Sequence, residues 1–172
     1  MAVVDQALNS SGLAPCRLEL EVTESLWLQN TETVLHQLAQ LRSRGISIAL
    51  DDFGTGYSSL SYLWKFPFDK VKVDRSFVTQ MEIDPKAAAI VDTVVALGRT
   101  LNLTITAEGV ETPEQAKALK DAGCDQGQGF LFGHPMSAAA AIELIRSSDS
   151  TAAYSSISRP LAKPAAPACT SL

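Results

Sequence analysis

Five short runs, "RLELEV", "ISIALDD", "FDKVKVD", "LTITAEG" and "GQGFLFG", recur along the chain with segments of helical spacing between them. Each run is rich in branched residues or alternates strictly, and each ends near Gly, Asp or Glu, as short strands closing in turns do. The intervening "NTETVLHQLAQLRSRG", "DPKAAAIVDTVVALGRTLN" and "TPEQAKALKDAG" read as helices. Asn30 or Thr31, Asp84 and Thr112 are the expected N-caps, Pro85 and Pro113 suit first turns, and Gly45 and Gly123 suit stops. A strand and helix alternation of this kind confines the chain to the α/β class, a parallel sheet wrapped by helices, either open or closed as a barrel.

Side-chain alternation separates the two. In "LTITAEG", Thr104, Thr106 and Glu108 share one strand face and Leu103, Ile105 and Ala107 the other. In "FDKVKVD", Lys70, Lys72 and Asp74 oppose Val71 and Val73; in "RLELEV", Glu19 and Glu21 oppose Leu18, Leu20 and Val22. The apolar faces should meet helices, which leaves polar faces inside. A doubly wound sheet needs both faces apolar, whereas a barrel with a site at its C-terminal mouth accommodates polar inner faces.

Glu21, Asp51, Asp52, Lys72 and Glu108 are therefore expected to converge from four strands on one mouth. Any one such acid alone is ordinarily a turn residue or cap, and Lys72 alone a snorkelling lysine or a Schiff-base nucleophile. Their joint placement is the argument. Four gathered carboxylates repel and raise one another's pKa unless cations sit between them, and hard divalent ions fit oxygen ligands. Two metals about 3.5–4 Å apart clamp a phosphodiester and activate a water. Lys72 would then neutralise phosphate charge or orient that water. His36 reads as a surface or boundary residue and His134 as a structural loop histidine.

At 172 residues the chain suits one domain. The net charge of −5 offers no sequence-wide attraction for a nucleic acid polymer or an anionic membrane. No apolar stretch approaches the roughly 18 residues of a span, and the first residues lack a basic region before an apolar one. No membrane contact is expected, and the expected setting is the cytoplasm. Cys16, Cys124 and Cys169 are in no metal-ligand spacing and odd in number, so reduced thiols are the simplest reading. From about Ser147 the sequence gathers Ser, Ala and Pro and loses periodicity, so residues 147–172 are expected to be a disordered tail.

With "ELEVTES", "DDFGTGYSSL", "VKVDRSF", "TAEGVET" and "QGQGFLFGHPM" in that order, the chain resembles the EAL family of cyclic di-GMP phosphodiesterases across residues 1–146. The resemblance implies a TIM-like (β/α) barrel and two Mg2+ or Mn2+ ions. It also implies hydrolysis of one phosphodiester bond of cyclic di-GMP to the linear dinucleotide. It implies Glu21 and Asp51 as ligands of the first metal, Asp51 bridging, and Asp52 and Glu108 as ligands of the second. Lys72 corresponds to the lysine near the attacking water and Gln128 to an active-site glutamine. Glu24 and Ser58 correspond to residues steadying the "DFGTGYSS" loop, in which Gly54 and Gly56 allow a tight turn, and Glu111 to a supporting residue.

That loop governs dimerisation in some family members, so a homodimer is compatible with the resemblance. The match also implies that about five of the barrel's eight strands are present. The Glu-Ala-Leu signature strand and an asparagine ligand fall outside the sequence. An alternative function is a catalytically inactive EAL-like module that binds cyclic di-GMP or a protein partner. A third reading, an aldolase-like barrel with Lys72 as Schiff-base lysine, does not account for four converging carboxylates.

Overall fold

The computed structural model of the chain describes residues 2–23, 31–54 and 60–148. Its five strands, β1 (Glu19–Thr23), β2 (Ser47–Phe53), β3 (Lys70–Val73), β4 (Thr104–Glu108) and β5 (Gln126–Gln128), form one sheet in sequence order. Every pairing is parallel. The helices are α1 (Ala2–Ser11), α2 (Thr31–Ser43), α3 (Leu60–Lys65), α4 (Arg75–Gln80), α5 (Pro85–Leu101), α6 (Pro113–Ala122) and α7 (Ala138–Ser148). This is an incomplete TIM-like barrel of five strands, with β1 and β5 at its edges.

Local chemistry sets the helix ends. The Asp84 side chain accepts from Lys86 N at 2.8 Å, with Pro85 at the first position of α5. Thr112 and Gln115 form a reciprocal capping box that opens α6, and Gly123 closes it at φ 85°. Asn102, at φ 58°, closes α5 in the same left-handed conformation. Asparagine is a weaker stop signal than glycine, so this helix end is harder to read from the sequence.

The outward strand faces build the core. Ile48 and Leu50 of β2, Val71 and Val73 of β3 and Ile105 and Ala107 of β4 pack with Val91, Val94 and Val95 of α5, all buried. Burying one such side chain contributes about 1.5–3 kcal/mol. This layer holds the strands that carry the polar inner face.

Two differences from expectation have physical causes. The "GQGFLFG" run forms only a three-residue strand, because the chain turns at once, Phe132 N donating to Gly129 O and Leu131 N to Val110 O. Cys16 is disulfide-bonded rather than reduced, whereas Cys124 is a free thiol. Among the described residues no helix is long and apolar enough to cross a membrane. Residues 149–172 of the expected tail lie outside the described residues.

Candidate functional site

Regular pleating would send the side chains of Asp51 and Asp52 to opposite faces of β2. The strand instead carries a bulge. Leu50 pairs with Val71 and Phe53 with Val73, so three steps along β2 match two along β3. Asp52 lies within this irregularity at φ 55°, a left-handed conformation that aspartate tolerates better than most residues. The extra residue re-aims one side chain, and both carboxylates reach the inner face. Oxygens of Asp51, Asp52 and Glu108 lie within 4.8 Å of one another. Both aspartates belong to β2, which continues to Phe53.

Lys72 stands at the centre. Its Nζ lies 2.8 Å from Glu21 Oε1, 3.1 Å from Asp51 Oδ1 and 2.6 Å from Glu108 Oε1. These acids come from β1, β2 and β4, while Lys72 is on β3 and only 5% exposed. Burial by itself lowers the pKa of the ammonium, but its close contacts with the carboxylates of Glu108, Glu21 and Asp51 outweigh that and raise it above the ordinary 10.5. Lys72 is a fixed cation at neutral pH. The Schiff-base reading, which needs a neutral amine, has no support from this environment.

Beneath this level the inner face continues as a second polar row. Lys70 Nζ pairs with Glu19 at 2.8 Å, and Thr106 Oγ1 donates to Gln126 Oε1 at 3.0 Å. Gln126, two residues before Gln128, lies on the same strand face. Gln128 is exposed at the end of β5, in register with Glu108. Other acids do structural work. Asp69 and Asp125 accept from Ile48 N and Ile105 N at 3.0 and 2.8 Å, tying loops to strand starts.

Of the remaining candidates, Gly54 has φ 99° just beyond β2, and Glu111 is exposed before α6. Glu24, Gly56 and Ser58 lie outside the described residues. His36 is exposed and hydrogen-bonded to Gln40, and His134 stacks on Phe130 with ring centroids 4.4 Å apart. Neither histidine belongs to the group of Asp51, Asp52 and Glu108.

The donor set suits a hard dication. Three carboxylates present oxygens at close range, and buried Asp51 Oδ1 has Lys72 within ion-pair distance but makes no hydrogen bond. Four carboxylates against one ammonium leave three formal negative charges, which divalent ions would compensate. Asp51, Asp52 and Glu108 form the close group; Glu21 joins it through Lys72.

Comparison with known proteins agrees with this geometry. The EAL domain matches residues 1–135. The chain is 50% identical over 135 residues to the bifunctional diguanylate cyclase/cyclic di-GMP phosphodiesterase MucR of Pseudomonas aeruginosa, covering 78% of this chain and 20% of MucR. It is 44% identical over 143 residues to the cyclic di-GMP phosphodiesterase NbdA of the same organism, covering 83% and 18%. Among solved structures, the MucR phosphodiesterase in complex with c-di-GMP aligns with TM-score 0.76 and 49% identity, covering 80% of this chain and 56% of that one. The manganese and c-di-GMP complex of Klebsiella pneumoniae BlrP1 aligns with TM-score 0.73 and 40% identity, covering 78% and 34%. The chain spans about a fifth of the length of these curated relatives. Matched by the domain over 135 residues and bearing the same fold, it belongs to the EAL domain family.

Proposed function

We propose that the chain contributes to metal-dependent hydrolysis of cyclic di-GMP to the linear dinucleotide, in the cytoplasm of a bacterium. The observation that carries this reading is the gathering of Asp51, Asp52 and Glu108 around Lys72, in a chain half identical to a cyclic di-GMP phosphodiesterase.

In this reading Asp51, Asp52, Glu108 and Glu21 would hold the Mg2+ or Mn2+ ions. When bound, the ions supply Lewis-acid stabilisation of phosphoryl charge and a lowered pKa for a coordinated water. The chain's own residues do the rest. Lys72, held protonated, balances the carboxylates and directs its cation toward the phosphate and the water. Gln128, with both a donor and an acceptor at the strand end, binds substrate. Water oxygen bonds to phosphorus, the phosphorus–oxygen bond to one ribose breaks, and the departing oxygen takes up a proton. Gly54 turns the chain just past β2, and the resemblance to the family assigns Glu24 and Ser58 to steadying the loop in which Gly56 also lies.

The test joins the chain to the remaining part of the MucR phosphodiesterase domain and follows cyclic di-GMP by chromatography. Linear dinucleotide should form with Mn2+ and not with excess EDTA, and Asp51→Asn should abolish it. A folded fusion that binds Mn2+ yet leaves cyclic di-GMP intact would refute the reading.

A further inference from the structure

The first turn of α4 stands between the two stretches that carry the carboxylates. Gly54, two residues beyond Asp52, lies so close to Phe77 that a Cβ there would sit 2.7 Å from ring atom Cε2 and 3.0 Å from Cζ. Gly109, directly after Glu108, has φ 68°, and a Cβ there would sit 2.5 Å from Arg75 Cβ. Neither spacing leaves room for a side chain, so both glycines abut the helix.

The helix itself is anchored. Asp74 caps it by accepting from Ser76 N at 3.0 Å, Val78 is fully buried, and Phe77 packs against the core. It also begins directly after β3, three residues past Lys72. The ends of β2, β3 and β4 are thus referenced to one short, rigid element. Arg75 contributes through its Cβ, which any residue but glycine would supply. Phe77 contributes through its ring.

From this we infer that α4 is a spacer and Phe77 a positioning residue: its ring, wedged against Gly54, sets where the Asp51–Asp52 bulge stands relative to Glu108. The inference rests on the proposed metal role of those carboxylates. Metal sites are sensitive to such support, because groups that orient ligands typically change affinity about 10–100-fold when lost.

Two measurements on the 172-residue chain test it. The first is Mn2+ affinity by calorimetry; the second, made without metal, is NMR hydrogen exchange of the Lys72 ammonium, whose protection depends on Glu21, Asp51 and Glu108 staying in place. Phe77→Ala should weaken Mn2+ binding about tenfold and speed Lys72 exchange, with Phe77→Leu retaining most of both. Leu119→Ala, a buried truncation in α6, should lower stability without moving either readout in the folded protein. Unchanged affinity and unchanged exchange in Phe77→Ala overturn the inference, and Phe77→Leu decides by the same readouts if the alanine variant does not fold. Should the parent chain alone take up no Mn2+, the affinity is measured in the fusion to the remaining MucR phosphodiesterase domain, and the Lys72 exchange in the 172-residue chain decides whether α4 is a spacer.

Discussion

Lys72 Nζ lies 2.6 Å from Glu108 Oε1 although their backbones are not register partners: Lys72 faces Thr106, and Glu108 stands one same-face step further up β4. The long lysine side chain climbs to the level of the strand ends, where its charge is surrounded by acids. Replacing it exposes those acids to one another. Lys72→Met should destabilise the fold by about 3 kcal/mol, the low end for breaking a buried pair because Glu21 is half exposed. Urea unfolding with an unshifted midpoint would contradict this.

The raised pKa of Lys72 fixes a pH window. Its ion pairs contribute their full stabilisation below the unfolded value near 10.5 and lose it only as pH rises beyond that toward the higher folded value. Between pH 6 and 9 the Lys72 Nζ resonance should therefore not titrate. Loss of its proton within that range would remove the fixed-cation role.

Metal binding should appear as stability. At a free Mn2+ concentration about 100 times Kd, linkage raises the unfolding free energy by about 2.7 kcal/mol, and EDTA reverses it. Asp51→Asn and Asp52→Asn should abolish the gain. Equal gains in both variants would place the ion elsewhere.

Gly98 tests the seam between α5 and β4. A Cβ there would lie 2.4 Å from the Ile105 side chain, which is buried. Alanine favours a helix by about 1 kcal/mol, but overpacking a core costs about 1–3 kcal/mol. Gly98→Ala should be net destabilising by up to about 2 kcal/mol in thermal unfolding. A stabilised variant would mean that Ile105 repacks freely.

The strands, the principal helices and the caps of α5 and α6 were legible because each follows from local rules of alternation, capping and turn chemistry, while the expected α2 cap, Asn30 or Thr31, is untested: Asn30 and the Thr31 side chain lie outside the described residues. Asp84 and Thr112 cap where expected, and Val71 and Val73 face the helices while Lys72 faces inward. The cluster was legible as an expectation of polar inner faces. The bulge at Asp51–Asp52 was not, since its cause is a pairing offset between β2 and β3 rather than a property of either sequence. The short helix α4 was missed too: six residues carry too little periodicity to register.

Glu21 stands on β1, the border strand of the described sheet, so one wall of the acidic cluster is also a border of that sheet. A strand paired with β1 on that side would set its own side chains beside Glu21. Assembly and chemistry thus share a boundary, and a neighbour's residues there would tune the electrostatics of the cluster as directly as a substitution within it.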